Sequence, residues 1–271
     1  DKIHHPIKKI KMSTANLQLR IQDQVAWIQI DRLTKLNALN RAVLEELNQV
    51  FSDLRTDASV RVIVLTGSGE KAFVAGADIA EFSEFGPVEG RAIAQKGQDA
   101  VFTFIEQMNK PVIAAINGFA LGGGLELAMS CHMRIASANA KMGLPETSLG
   151  VIPGYGGTQR LAQIIGKGRA MELILSCQML AADQALDFGL VSQVVPQEEL
   201  LSAAAALAQK ILKNSPFAIG QAIQAVNAAY EEGLNGFEAE VDGFGACFGS
   251  EDFKEGTQAF LEKRKANFTG N

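Results

Sequence analysis

The chain has 271 residues, 47% of them apolar, and three cysteines. That length suits one large α/β domain or a domain plus a helical extension, and the apolar share excludes a disordered chain. Net charge is −5, yet residues 1–11 (DKIHHPIKKIK) hold four Lys against one Asp, so the remainder carries −8 and general nucleic-acid binding is excluded.

Residues 1–11 read as vector-derived, because Met12 opens MSTANLQ in the manner of a natural start. No apolar run follows Met12 as a signal peptide requires. The longest mixed apolar stretch, 119–128, contains Glu126 and is too short to span a bilayer, so no membrane partner is expected. Cys131, Cys177 and Cys247 are an odd number in apolar surroundings, which fits a reducing, cytoplasmic setting without disulfides.

In chain order, 25–30 and 60–65 are β-branched, apolar and bounded by polar residues, as strands are. Between them Asn40 caps a helix on which Leu44, Leu47, Phe51 and Leu54 recur at helical spacing. Residues 101–108 continue as a helix, and 111–116, 133–136 and 191–195 are further strands. Strands alternating with helices imply a layered α/β core. After about residue 197 the segments 198–212, 216–231, 237–248 and 252–265 all read as helices. An Ala-rich helical end of this kind covers a core or makes a subunit contact.

Three segments carry chemistry. In 71–79 (KAFVAGADI) small residues cluster where a strand ends, which lets a ligand approach backbone N–H groups, although a tight turn accounts for it as well. In 117–128 (NGFALGGGLELA) three glycines follow a buried strand and open an apolar helix, whose N-terminal N–H groups favour an anion. Glu126 sits there between Leu125 and Leu127, where a carboxylate is costly unless paired, protonated or functional; a surface Glu at a helix N-terminus fits the segment equally. In 142–158 (MGLPETSLGVIPGYGGT) Glu146 is the only ionisable side chain between Lys141 and Arg160 apart from Tyr155, in an apolar loop rich in Gly and Pro. An exposed loop Glu is the plainer account of that segment alone.

Other chemistries lack their residues. There is no G-x-x-x-x-G-K-[ST] or G-x-G-x-x-G phosphate loop, and Gly154–Gly157 has neither spacing. His4 and His5 lie in the leader and His132 stands alone, so no zinc site is expected and His132 is structural. No G-x-S-x-G elbow supports a serine nucleophile.

Taken together and in this order, these motifs closely resemble the crotonase (enoyl-CoA hydratase/isomerase) superfamily, over about residues 17–268. The resemblance includes Lys35-Leu36-Asn37-Ala38-Leu39, 73–79, 122–128, Pro145-Glu146, 153–158 and 260–268. It implies an α/β crotonase (ClpP/crotonase-like) spiral of ββα units over 12–196, with a C-terminal helical oligomerisation region over 197–271. It also implies reversible syn hydration of trans-2-enoyl-CoA to 3-hydroxyacyl-CoA, in fatty-acid β-oxidation or related catabolism. The family's catalytic glutamates lie twenty residues apart, as Glu126 and Glu146 do.

By the same resemblance Glu126 handles the water, Glu146 protonates Cα, and the N–H groups of Ala77 and Gly123 form an oxyanion hole. Gly154 helps hold the water through its backbone. Ala75, Asp78 and Ile79 lie along CoA, while Phe260 and Lys263 reach the adenine and phosphates of CoA on a neighbouring subunit; a solvated basic helix end is the plainer account of Lys263. The expected partners are the acyl-CoA substrate and copies of the chain, as a hexamer built from two trimers. No metal or separate cofactor is implied.

Departures from the family pattern are Leu33-Thr34 in place of Pro-Lys, Ala80 in place of a Lys near the CoA phosphates, and His132 in place of an Asp. Isomerases of the superfamily usually keep only the equivalent of Glu146, so two glutamates favour hydration, with an enoyl-CoA δ-isomerase or another acyl-CoA lyase as the alternative. An RNA-binding role lacks a Lys/Arg run after the leader, and a non-catalytic scaffold would need no glutamate pair.

Overall fold

A computed structural model of the protein describes residues 10–271; residues 1–9, most of the leader assignment, lie outside the described residues. Ile10 and Lys11, the other two residues expected to be vector-derived, fall in a short strand, β1 (Ile10–Ser13), which pairs antiparallel with β2 (Leu17–Gln22). Asp23 and Gln24 both take positive φ (51° and 63°), as a two-residue hairpin turn requires, and lead into β3 (Val25–Ile30). Asn40 caps α1 (Arg41–Thr56), its side-chain oxygen accepting the Val43 N–H at 2.9 Å, and the helix buries Val43, Leu47, Val50, Phe51 and Leu54.

From here the chain winds as a spiral. Three times a strand of a large sheet is followed by a three-residue strand of a second sheet and then by helix. The first turn is β4 (Val62–Gly67), β5 (Ala72–Val74) and α2 (Pro87–Gly97), running through a π-helical segment, Gln98–Phe102, into α3 (Thr103–Glu106). The second is β6 (Val112–Ile116), β7 (Phe119–Leu121) and α4 (Gly123–Ser130). The third is β8 (Met133–Ser137), β9 (Lys141–Gly143), α5 (Gly157–Ile165) and α6 (Lys167–Ser176). Then β10 (Leu180–Ala181), α7 (Ala182–Asp187) and β11 (Gln193–Val195) finish the sheets. This is the spiral of ββα units that the motifs imply.

The large sheet runs β1-β2-β3-β4-β6-β8-β11, parallel from β3 onward, and the small one β10-β9-β7-β5. Parallel strands covered on both faces read as unbroken apolar runs, and β4 and β6 are buried at every position. Ile63 and Leu65 face the main core with Phe51 and Phe102, while Val62 and Val64 face the other side. That other side is covered by Leu200, Ala204 and Ala208 of α8 (Leu200–Ile211).

The described strands thus end before residue 197, and α8 beyond it shares a core with them. The remaining helices are α9 (Pro216–Ala228), α10 (Gly236–Phe248) and α11 (Glu251–Leu261). Some expected boundaries move. The strand expected over 191–195 shortens to β11, and the helix expected over 101–108 begins as the π segment and stops at Glu106. The four expected C-terminal helices all form, each beginning within two residues of its expected start but ending one to four residues early for three of them.

Candidate active site

Strands β5, β7 and β9 are parallel neighbours in the small sheet, so their C-terminal ends lie at one edge. Ligands of parallel sheets collect outside such ends. Beyond β5 come Ala75, Gly76 and Ala77; beyond β7 come Gly122 and Gly123; beyond β9 come Leu144, Pro145 and Glu146. The Gly122 N–H donates to the Gly143 carbonyl at 2.9 Å, locking two of these ends together. The sheet therefore gathers three segments that are far apart in sequence.

The Lys35–Leu39 motif holds the first of them. Asn37 is buried, and its side-chain amide donates to the carbonyls of Ser68 (3.0 Å) and Ala72 (2.8 Å). Leu39 then bridges Ala77: its N–H donates to the Gly76 carbonyl (2.9 Å), and its carbonyl accepts the Asp78 N–H (2.7 Å). Both bonds come from the residues flanking Ala77. Because extended backbone alternates, the Ala77 N–H points the opposite way and has no acceptor among the described residues.

Gly123 opens α4, so its N–H lacks an intrahelical partner and lies at the positive end of the helix dipole. The preceding Gly122 has φ of +51°, and a Cβ there would lie 3.9 Å from the Gly76 Cα and only 2.7 Å from Glu146 Oε1. The Ala77 and Gly123 segments thus meet, with the Glu146 carboxyl against them. Gly124 must also lack a side chain, since a Cβ would fall 2.0 Å from the Val74 carbonyl oxygen.

Glu126 projects from the first turn of α4 and is 1% exposed. Its Oε1 accepts the N–H groups of Tyr155 and Gly157, both at 2.8 Å. Gly157 is the first residue of α5, so the anion bound at this helix N-terminus is the protein's own carboxylate. Burial pushes the Glu126 carboxyl up to about 7; the two N–H bonds and the Arg160 cation oppose that rise, and the charge of Glu146 adds to it.

Glu146 begins a short 3₁₀ turn, Glu146–Leu149, and burial raises its carboxyl as well. Its Oε2 is buried with no hydrogen-bond partner among the described residues. An unpartnered buried carboxyl oxygen favours the protonated form. Two carboxyls whose ionisation is disfavoured therefore stand beside two free N–H groups.

The other expected residues divide. Gly154 is beside the site: its carbonyl accepts from Gln98 at 2.8 Å, and its N–H has no acceptor among the described residues. Ala75 is fixed by its N–H to the Leu36 carbonyl (3.1 Å), Asp78 faces Arg32 at 3.5 Å, and Ile79 is exposed. Phe260 lies elsewhere, in a cleft at the end of α11 with Ser215, Phe253 and Phe268, and Lys263 follows it. One chain does not bring those two to the carboxylates. His132 is structural, as expected: Nδ1 accepts from Val112 N–H (2.9 Å), Nε2 meets the Glu106 carbonyl (3.1 Å), and burial lowers its pKa.

Sequence reasoning missed the Tyr155 and Gly157 N–H donors and the Arg160–Glu106 pair. The glycines of 154–157 were the available signal, since glycines opening a helix bind an anion, but the anion sits 31 residues upstream of Gly157.

The model of the family described as enoyl-CoA hydratase/isomerase matches residues 20–271. The chain belongs to that family. It is 47% identical to the short-chain-enoyl-CoA hydratase of Clostridium acetobutylicum, over 94% of this chain and 97% of that one. It is 45% identical to the crotonyl-CoA hydratase of Syntrophomonas wolfei, over 95% and 99%. Among solved structures, an enoyl-CoA hydratase from Bacillus anthracis is similar with a TM-score of 0.89 and 40% identity, covering 94% of this chain and all of that one. The family match thus spans both glutamates and all three strand ends.

Proposed function

We propose that this enoyl-CoA hydratase/isomerase family member hydrates trans-2-enoyl-CoA to 3-hydroxyacyl-CoA, in fatty-acid β-oxidation or related acyl-CoA catabolism. The observation that carries this reading is the meeting of two free N–H groups, Ala77 and Gly123, with the buried carboxyl of Glu126 and the half-buried one of Glu146.

Hydration needs each of these parts. The thioester oxygen accepts the Ala77 and Gly123 N–H groups, which form an oxyanion hole for the charge that develops there. Ionised Glu126, with Oε1 held by two N–H groups, keeps Oε2 for the attacking water. Glu126 takes a proton from the water as its oxygen bonds to Cβ. The π electrons of the C=C bond move toward the thioester, and protonated Glu146 gives its proton to Cα. One carboxyl has gained a proton and the other has lost one, and exchange between them restores the pair. The Gly154 backbone helps hold the water. Double-bond migration requires one proton-shuttling carboxyl, so the second one favours hydration.

The CoA moiety runs past Ala75, Asp78 and exposed Ile79, and the Phe260 and Lys263 of a neighbouring subunit reach its adenine and phosphates. Phe237, Val241 and Phe244 of α10 are 83%, 69% and 67% exposed, which supports burial in a homo-oligomer, a hexamer of two trimers. In this reading residues 12–196 carry the chemistry and 197–271 the assembly. Among the described residues no helix is long and apolar enough to cross a membrane, and the free cysteines suit the cytoplasm.

The test is loss of conjugated-enoyl absorbance with crotonyl-CoA, run beside a 3-enoyl-CoA of equal length. Rapid loss with crotonyl-CoA supports hydration. Turnover of the 3-enoyl-CoA alone would assign an isomerase instead.

A further inference from the structure

We infer that Arg160 is the positioning residue for Glu126, acting through the backbone of Tyr155–Gly157. The inference rests on the hydratase reading for its kinetic consequence and on geometry for its substance.

Arg160 lies in α5 and is 7% exposed. Its Nε and Nη2 donate to the two carboxylate oxygens of Glu106, at 3.0 and 2.6 Å, and its Nη1 donates to the Tyr155 carbonyl at 2.9 Å. A guanidinium gripped on one edge by a carboxylate fork has its orientation fixed. The carbonyl it holds belongs to the peptide joining Tyr155 to Gly156. The peptide before that one presents the Tyr155 N–H to Glu126, and the peptide after it presents the Gly157 N–H. Arg160 therefore fixes the middle of three successive peptides, and the outer two hold the carboxylate.

The loop needs such a clamp. Three of the four residues 154–157 are glycine, which leaves the backbone few side-chain constraints. The guanidinium covers the Cα of Gly156 so closely that a Cβ there would lie 2.2 Å from Nη1. Glu106 is braced in turn: its carbonyl accepts the Asn227 side-chain amide of α9 at 2.6 Å and meets His132 Nε2 at 3.1 Å. Arg160 also lines a cleft with Glu106, Gln163, Asn227 and Tyr230, none of which is among the residues that meet at Glu126 and Glu146.

Among the described residues, Glu146, Arg160 and the Tyr155 phenol are the ionisable groups that interact with Glu126, and Glu81 adds to the field at that phenol. Glu106, Cys131, His132 and Arg134 line one cleft together with Arg160. The Arg160 cation favours ionised Glu126, against burial and Glu146.

The experiment compares wild type, Arg160→Lys, Arg160→Met and Glu106→Gln by kcat/KM against pH on crotonyl-CoA. Glu126 is also titrated directly by infrared difference spectroscopy of its carboxyl, with Glu126→Gln assigning the band. Arg160→Met is expected to move the acidic limb and the carboxyl band upward by about one pH unit, as loss of a nearby opposite charge does. kcat should fall about 10- to 100-fold from misplacement, with KM little changed. Arg160→Lys keeps the cation and loses the fork, so kcat should fall while the limb stays near that of wild type.

An unmoved limb and band with unchanged kcat in folded Arg160→Met overturns the inference. If that variant does not fold, a wild-type kcat in Arg160→Lys overturns it. A wild type inactive on every enoyl-CoA defeats the hydratase reading alone, because the infrared titration still reads the effect of Arg160 on Glu126.

Discussion

Glu126 and Glu146 occupy seats of opposite kind. The seat of Glu126 is made of backbone: a helix turn beneath it and two N–H groups on Oε1, all within a closed core. The seat of Glu146 is a half-buried turn that leaves Oε2 without a partner and rests Oε1 against Gly122. Burial raises both carboxyls, yet only Glu126 receives compensating hydrogen bonds from elsewhere in the chain. The difference suits a division of labour. The N–H groups orient Glu126 toward the water, and with its carboxyl at about 7 roughly half of the molecules hold it ionised at neutral pH, while the partnerless Oε2 of Glu146 is free to carry the proton that Cα takes.

The largest expected effect is on rate. Glu126→Gln and Glu146→Gln should each lower kcat on crotonyl-CoA by ~10²–10⁴-fold, the usual scale for a lost acid or base. Gly157→Ala attacks only the first seat, because its Cβ would fall 2.8 Å from Glu126 Oε1 and 3.0 Å from Pro153 Cβ. It should cost about 100-fold in kcat by displacing the carboxylate, with the protein still folded by circular dichroism.

Stability should respond in the opposite sense. A carboxyl whose folded pKa is about 7 binds more protons in the native state than in the unfolded state between its ordinary value of 4.5 and 7. Stability therefore falls as pH rises through that window. Glu126→Gln keeps an oxygen for the two N–H groups and removes the charge. It should gain up to about 3 kcal/mol over wild type in urea melts at pH 8 and nearly nothing at pH 4. Glu146→Gln should gain less, since its seat is more open. A wild-type urea curve independent of pH would break the distinction between the seats. The smallest effect belongs to Tyr155→Phe: the Tyr155 backbone, and not its phenol, holds Glu126, so kcat should be nearly unchanged.

What the sequence reveals follows from how locally each feature is determined. The central strands β4 and β6 are legible because burial on both faces writes an unbroken apolar run. Asn40 is legible because a cap needs only its own helix. The small sheet is not, since strands of two or three residues are shorter than any period. Its parallel order still decides the site, by bringing the ends of β5, β7 and β9 to one edge. Glu126 and Glu146 are visible as carboxylates in apolar surroundings, whereas Arg160 and Glu106 lie 54 residues apart and only the fold joins them.

The most direct test of the paired-carboxyl account is the crotonyl-CoA hydration rate of the double variant Glu126→Gln/Glu146→Gln, measured beside both single variants. Groups that act as one unit are not additive, so the account predicts a double variant nearly as active as the slower single. A double loss equal to the product of the single losses would contradict it, and so would either single variant retaining the wild-type rate.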